Sequence, residues 1–228
     1  MLIAAPGLIS GIRLGLNANV VGSSCNISTA QFKFGRSSLD GGTSSYANVS
    51  PVTNMAFGTS DFTIEFWYYT PSPNVQQGIL GFRPQTGTGN YISLVSGFPS
   101  NGNVISFYSG STRITTAANS IVANTWVSVA LVRNSGNSRI YLNGTQSGNT
   151  YTANTSYLAS RLILASDDYS NGGTPILGYI DELRISNVAR YTGNYTPSNE
   201  PFIDDGNTCL LYHFDQDNGS KNLVDDNS

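Results

Sequence analysis

Residues 61–68, with the sequence DFTIEFWY, decide the fold class. Every second position of this stretch carries a large apolar side chain: Phe62, Ile64, Phe66 and Tyr68. Because successive side chains of a β-strand point to opposite faces of the sheet, this alternation predicts a strand with one face in a hydrophobic core. Thr63, Glu65 and Trp67 then lie on the other face.

The same alternation extends to both sides of this stretch. Residues 126–133 form a second long strand, and residues 139–146 form a hairpin whose Asn143-Gly144 pair suits a tight type I′ turn. Further strands are predicted at residues 79–82, 91–95, 104–108, 162–165, 176–186 and 208–214. One helical turn is predicted at 187–191. Many short strands with few or no helices predict an all-β fold, an antiparallel two-sheet jelly-roll sandwich.

Composition supports this fold class and excludes others. The chain has 228 residues, of which only 11% are charged and 24 are Gly. This length is compatible with one large β-sandwich. The formal net charge of −3 argues against nucleic acid as a partner, since nucleic-acid binding relies on basic surfaces. No apolar run approaches the roughly 20 residues that cross a bilayer, so membrane insertion is not expected.

We predict three regions along the chain. Residues 1–29 form an N-terminal strand or attachment arm, residues 30–215 the jelly-roll domain, and residues 216–228 a polar C-terminal tail. The apolar segment Met1–Leu16 has no early basic residue, so it is interpreted as a docking segment rather than a signal peptide. Cys25 and Cys209 are predicted to be free, buried thiols, with a single bridge between them as the alternative.

Several segments together resemble a known family. They are residues 32–42, 61–67, 126–133, 140–144, 178–186, 189–191 and 210–215. Their order resembles the laminin G-like, concanavalin A-like lectin/glucanase domains, and more narrowly the form found in bacteriophage structural proteins. The first thirty residues depart from this pattern. The resemblance implies a jelly-roll fold and a role in a fibre or a capsid decoration.

The acidic residues do not form the pattern that hydrolysis requires. Polysaccharide-cleaving members of the superfamily place carboxylates at alternate positions of one strand, because two carboxyl groups must face the scissile bond. Here Glu65 stands alone, while Asp181 and Glu182 are adjacent and are expected to point to opposite faces. The sole histidine, His213, lies in an apolar strand and is interpreted as structural. We therefore expect no catalytic residues and no enzymatic activity.

A calcium ion is the cofactor that the resemblance implies. The family often binds calcium through an Asp in the strand that contains Asp181, and Asp40 or Asp215 are candidates for further oxygen ligands. The alternative is that Asp181 forms a salt bridge with Arg184 or Arg36, or caps a turn.

A second candidate site is the loop at residues 166–173. Asp167, Asp168, Tyr169 and Asn171 offer oxygens and a ring for a sugar or a metal, and the alternative is a solvated hairpin tip. Sugar sites combine aromatic rings with polar hydrogen-bonding groups. The candidate rings are Trp67, Tyr68, Tyr69, Tyr91, Tyr108, Tyr141 and Tyr169.

Three functions remain open. The favoured one is a non-catalytic virion-surface module, in a capsid decoration, head fibre or tail fibre, that adheres to host-surface polysaccharide. Its partners would be other virion proteins and further copies of the chain in a homo-oligomer, and its location the virion surface after assembly in the host cytoplasm. The second is a lectin-like, calcium-dependent carbohydrate-binding module, and the third a polysaccharide hydrolase with an unusual site.

Overall fold

The computed structural model describes residues 18–21, 24–43, 45–49, 52–84, 89–100, 102–159, 161–167 and 173–226. Its strands are β1 Ala18–Val21, β2 Asn26–Ser28, β3 Ser38–Asp40, β4 Tyr46–Val49, β5 Phe62–Tyr69, β6 Gln77–Gly81, β7 Ser93–Ser96, β8 Ile105–Tyr108, β9 Thr112–Thr115, β10 Val127–Asn134, β11 Asn137–Leu142, β12 Thr145–Thr152, β13 Leu162–Leu164, β14 Tyr179–Ser186, β15 Thr208–Tyr212 and β16 Asn222–Leu223. A single 3₁₀ turn at Thr53–Met55 is the one helical element in these ranges.

The strands form two antiparallel sheets. Sheet A has the order β16-β1-β4-β13-β6-β7-β8-β9. Sheet B has the order β12-β11-β10-β5-β14-β3-β2, and β15 pairs with β14 beside this path. Strands distant in the chain are neighbours in both sheets, as β14 is to β5. This arrangement confirms the predicted all-β jelly-roll sandwich.

The core lies between the two sheets. The alternate apolar residues of β5 are fully buried in it, as are Leu94 of β7 and Phe107 of β8. The opposite face of β5 is buried as well, although its residues Thr63 and Glu65 are polar. The reason is the strap, defined here as residues 187–207 between β14 and β15, which lies over the outer face of sheet B.

Several contacts hold the strap on sheet B. Thr63 Oγ1 donates to the Val188 carbonyl at 2.8 Å and accepts from the Arg190 N–H at 2.9 Å. A small apolar cluster continues the contact, with Tyr191 and Tyr195 packed against Ala130, Val132 and Tyr141. The helical turn predicted at 187–191 is wrong, because these residues form bends without helical geometry.

The sandwich extends beyond the predicted range of residues 30–215. Strand β1 pairs with both β4 and β16, and β2 pairs with β3. Residues 216–226 include β16, which pairs with β1, and the buried Asp225. The proposed docking segment Met1–Leu16 lies outside the described residues.

Two further predictions can be compared with the structure. Cys25 and Cys209 are buried and are not joined by a disulfide, as predicted, and burial raises the pKa of Cys25 to about 12. Among the described residues, no helix is long and apolar enough to cross a membrane.

Candidate functional site

A cleft opens on the outer face of sheet A. Ser93 of β7 and Tyr108 of β8 lie directly opposite each other and line it, while their neighbours Leu94 and Phe107 point into the core. The cleft has a volume of about 450 Å³, within the roughly 300–1,000 Å³ typical of small-molecule sites. Its described lining residues are Gln76, Arg83, Tyr91, Ser93, Val95, Phe98, Tyr108, Asp167, Gly173 and Thr174.

Two glycines of β6 shape the cleft floor. Gly81 pairs with Ser93, so the sheet presents no side chain at that position. At Gly78, the chain at residues 166–167 passes so close that an added Cβ would collide with the backbone nitrogen of Asp167. This close approach places Asp167 in the cleft wall, and the Gly78 N–H donates to the Thr174 carbonyl at 2.6 Å beside it.

One side of the cleft is aromatic. The ring centroids of Tyr91 and Tyr108 are 6.2 Å apart, and Phe98 contacts Tyr108 edge-on at 6.1 Å. The Tyr108 hydroxyl donates to the Gly110 carbonyl at 3.1 Å. Burial raises the pKa of Tyr91. The β8–β9 turn thus holds the Tyr108 ring in place before any ligand binds, and the Tyr91 ring packs between Tyr108 and Arg83.

Apart from Val95 and Gly173, the remaining lining residues are polar. The Arg83 guanidinium lies 5.2 Å from the Tyr91 ring centroid, and Gln76 is exposed at the rim. Asp167 Oδ1 accepts hydrogen bonds from the Thr174 N–H at 3.0 Å and the Thr174 hydroxyl at 3.2 Å. These bonds fix the carboxylate, and no described residue donates a hydrogen bond to its second oxygen.

The structure places one residue of the predicted ligand-binding loop in this cleft. Asp167 lines it, and its part in ligand binding stays a prediction. Asp168, Tyr169 and Asn171 lie outside the described residues.

The predicted calcium ligands do not fit a calcium site. Asp181 Oδ2 accepts the N–H groups of Lys33 at 2.6 Å and Phe34 at 3.1 Å, and its Oδ1 accepts the Glu182 N–H at 2.9 Å. Burial raises the pKa of Asp181 to about 7, against the lowering effect of these donors. Asp181 therefore caps the turn at residues 31–36, the alternative that the sequence left open.

Asp215 and Asp40 also accept backbone donors. Asp215 Oδ1 accepts the N–H groups of Arg36 at 2.7 Å and Ser37 at 3.3 Å, and Asp40 Oδ1 accepts the Gly42 N–H at 2.9 Å. Calcium requires six to eight oxygen ligands. Within the described residues, no three acidic, histidine or cysteine side chains come together in a way that would hold a metal.

Glu65, the isolated acid of β5, lies in a buried ion-pair network. Its Oε1 is 2.8 Å from the Arg184 Nη2, and its Oε2 accepts the Tyr191 hydroxyl at 2.7 Å. Arg190 is within 3.7 Å of Glu65 and also binds both oxygens of Asp205, at 2.8 and 2.9 Å. This network joins sheet B to the strap.

A β-bulge determines where Asp181 and Glu182 point. Asp181 pairs with Trp67 and Arg184 pairs with Glu65, so β14 contains one extra residue between them. Glu182 adopts a positive φ of 52°, and its side chain accepts the Phe202 N–H at 2.6 Å and contacts His213 Nδ1 at 2.7 Å. The regular alternation expected at these two residues is interrupted, and His213 has the structural role predicted for it.

Comparison with known proteins identifies the family. A laminin G-type family model, described as the concanavalin A-like lectin/glucanases superfamily, matches residues 40–192. The chain belongs to this superfamily. No curated protein matches the chain.

Solved structures with the concanavalin A-like fold are similar over most of the chain. A putative carbohydrate binding protein from Bacteroides ovatus shares 16% identity at a TM-score of 0.59, covering 94% of this chain and 58% of that protein. Domain 4 of the extracellular arabinanase AbnA from Geobacillus stearothermophilus, solved with arabinotriose, shares 18% identity at a TM-score of 0.57. The match covers 75% of this chain and 82% of that domain.

A third similar structure is a phage protein. Full-length tailspike protein 2 from an Escherichia coli O157:H7 bacteriophage shares 12% identity at a TM-score of 0.61, covering 92% of this chain and 31% of the tailspike. The chain thus spans 58% of the Bacteroides protein and about a third of the tailspike. At these identities the similarity shows the concanavalin A-like fold alone.

Sequence reasoning named Tyr91, Tyr108 and Asp167 but missed Arg83 and Ser93. Alternation indicates that Ser93 points away from the core, because Leu94 points inward. It does not indicate that Ser93 faces Tyr108, since strand register depends on the turn between β7 and β8.

Proposed function

We propose that this chain is a non-catalytic carbohydrate-binding module and that the sheet A cleft is its binding site. The observation that carries the proposal is the pair of packed rings at Tyr91 and Tyr108, the second bonded to Gly110, beside the polar groups of Arg83 and Asp167. A sugar presents an apolar ring face and a rim of hydroxyls. Aromatic rings pack against the apolar face, and fixed polar groups form hydrogen bonds with the hydroxyls.

Pre-organisation of the cleft favours binding. The Tyr108 hydroxyl bonds Gly110, the Tyr91 ring packs beside Tyr108, and Asp167 is fixed by Thr174, so few side chains must be ordered when a ligand binds. Each immobilised side chain otherwise costs about 0.5–1.5 kcal/mol. This matters for sugars, whose hydroxyls gain little by exchanging water for protein.

The positions of the carboxylates support a non-catalytic role. Glycoside hydrolysis requires two carboxyl groups about 5–10 Å apart across the bond. Asp167 is the one carboxylate among the described cleft residues. Glu65 and Glu182 are buried and bonded to Arg184 and His213. A polysaccharide hydrolase is therefore the weakest of the three functions.

We further propose that the module is carried on a virion surface, in a capsid decoration, head fibre or tail fibre, where it adheres to host polysaccharide. The support is the fold shared with a phage tailspike over 92% of this chain. Other virion proteins and further copies of this chain would be its partners. The alternative is a lectin-like module outside a virion, which the shared fold with an arabinanase domain favours.

A glycan array tests the cleft. The wild-type chain and the variant Tyr108→Ala are applied to the same array, together with Tyr46→Ala as the matched control. Tyr46 is a half-buried tyrosine of β4 in the same sheet that does not line the cleft. If a sugar covers about 50 Å² of the Tyr108 ring, the loss is about 1.2 kcal/mol, or roughly eightfold in affinity.

The outcomes separate the hypotheses. Selective wild-type binding that falls in Tyr108→Ala and persists in Tyr46→Ala supports the cleft. Binding that is equal in all three proteins excludes it. Repeating the array with calcium and with a chelator tests the calcium-dependent alternative, which requires that chelation abolish binding.

Immunogold microscopy tests the virion role. Antibodies raised against the purified chain are applied to particles released from the producing cells. Labelling of heads or tails supports the proposal and separates capsid from tail. A chain found only free in the medium supports the alternative module.

A further inference from the structure

A row of half-buried side chains crosses the outer face of sheet B. Tyr69 of β5 pairs with Tyr179 of β14, which pairs with Asp40 of β3, which in turn pairs with Asn26 of β2. Trp126 precedes β10 and lies beside Tyr69, because Val127 pairs with Tyr68. Directly opposed residues share a face of the sheet, so all five side chains point outward.

The three rings form a continuous aromatic platform that is not flat, because the ring planes are inclined by 53° between Trp126 and Tyr69 and by 69° between Tyr69 and Tyr179. The ring centroids of Trp126 and Tyr69 are 5.5 Å apart, and those of Tyr69 and Tyr179 are 5.8 Å apart. These spacings slightly exceed the roughly 4.8 Å between neighbouring strands. The Tyr69 hydroxyl donates to Asn124 Oδ1 at 3.3 Å, which places an amide at the edge of the platform.

The row is not needed to pack the core. The inward neighbours of these residues, including Tyr68, Val127, Ile180 and Leu39, fill that role and are buried. Elsewhere the outer face of sheet B is covered. The strap lies on Ala130 and Val132, and the Lys33 ammonium lies 4.1 Å above the Trp67 ring. The aromatic row is half-buried, at the end of the sheet that these segments leave uncovered.

We propose that the aromatic row, defined as Trp126, Tyr69, Tyr179, Asp40 and Asn26, is a second saccharide-binding surface for an extended, uncharged polysaccharide. The platform is linear and one ring wide, with polar groups at its edges, as a sugar chain requires. Asp40 is the one charged member of the row. An anionic polysaccharide would be repelled by it.

The exposed area favours a polysaccharide over a protein partner. A Tyr or Trp side chain presents about 150–250 Å² in total, so three half-buried rings expose at most about 375 Å². A stable protein interface buries about 800 Å² on each partner. The row is therefore too small for a protein and adequate for a few sugar units.

The row and the cleft share no residue and lie on opposite sheets. Two sites would allow one chain to bind two strands of a surface polysaccharide. Linked sites of this kind raise the overall affinity by about 10²–10⁴-fold when the geometry permits both to bind.

Tryptophan fluorescence reports the row directly. The chain has two tryptophans, of which Trp126 lies in the row and Trp67 is buried under Lys33. The probes are four soluble neutral polysaccharides, namely arabinan, xylan, mannan and laminarin, with alginate as the anionic comparison. At least one neutral probe should change the Trp126 emission in a saturable titration, and alginate should not.

Three variants assign the signal. Tyr179→Ala should lower the affinity for the polysaccharide that gives a titration by about fivefold or more, because it removes one ring of the platform. Trp126→Phe keeps an aromatic ring, so it should lose the fluorescence change while retaining binding in affinity electrophoresis. Tyr108→Ala in the cleft should leave the fluorescence titration unchanged.

The row proposal is overturned if no neutral probe changes the emission, or if Tyr179→Ala titrates like the wild type. It is also overturned if light scattering shows an oligomer that Tyr179→Ala dissociates, because the row would then bind a second copy. If Tyr108→Ala loses binding on the glycan array while no neutral probe changes the fluorescence of the wild type, the cleft proposal stands and the row proposal is wrong. The reverse pattern leaves the row valid and the cleft wrong.

Discussion

Replacing Glu65 by Ala tests whether this buried acid is structural. Glu65 is only 2% exposed, and its carboxylate contacts Arg184 at 2.8 Å and the Tyr191 hydroxyl at 2.7 Å. The substitution leaves the Arg184 guanidinium, itself 11% exposed, without this partner. It also releases Tyr191, so the strap loses one of its links to sheet B.

The expected loss is large. Removing one partner of a buried ion pair costs about 3–5 kcal/mol, because the remaining charge is left desolvated and unpaired. In a domain of this size 1 kcal/mol corresponds to about 2–4 °C in Tm, so Tm should fall by roughly 6–20 °C. Glu65→Gln retains an acceptor for Arg184 without the charge and should lose less.

Urea denaturation and thermal melting measure this loss, and hydrogen exchange locates it. Faster exchange should be concentrated in the strap, where Tyr191 and Arg190 bind. Asp217→Ala is the matched control, since it breaks the exposed Arg36–Asp217 pair at 3.3 Å and should leave Tm unchanged. A Glu65→Ala protein within about 1 kcal/mol of the wild type would refute the reasoning, because the pair would then contribute no more than a surface pair.

Three further predictions concern other parts of the sandwich. The hydrogen bond to Glu182 raises the pKa of His213 above its ordinary value of 6.5. The stabilisation of the fold by protonated His213 should therefore be complete below pH 6.5 and lost as the pH rises through the raised pKa. The free energy of unfolding should change less between about pH 6 and pH 9 in His213→Asn than in the wild type. An equal change in both proteins would contradict this. Gly78→Ala should destabilise the fold by about 1–3 kcal/mol and weaken ligand binding at the cleft, because the added Cβ collides with the backbone of Asp167. Gly206→Ala is the control, since an added Cβ there meets open space, and it should change neither the melting temperature nor binding on the array. Cys25 should react with a thiol reagent only on unfolding, and reaction at the rate of an exposed thiol in native buffer would show that it is accessible.

Much of the fold could be predicted from local pattern. The alternation of Phe62 and Ile64 predicts β5, and the Asn143-Gly144 pair predicts the hairpin between β11 and β12. The pattern failed where a residue departs from regular geometry. At Glu182 the positive φ and the bulge interrupt the alternation, because the strap and His213 supply bonds that no local signal indicates.

The candidate site could be predicted only in part. Tyr91, Tyr108 and Asp167 were recognisable as residue types that bind sugars, but their meeting in one cleft was not. Asp167 reaches the cleft because its backbone crosses Gly78, a contact between residues almost ninety positions apart. The predicted metal role of Asp181 depended on family resemblance, whereas the folded chain directs backbone N–H donors to this carboxylate.

The sequence by itself determined that the chain forms an antiparallel sandwich, because a period of two is a local property of each strand. It also determined that half of the side chains in each strand face away from the core. Only the tertiary structure decided which of those outward side chains are covered by the strap, which line the cleft and which form the aromatic row. That choice depends on strand order and register, which are set by contacts between residues distant in the chain and leave no periodic signal in the sequence.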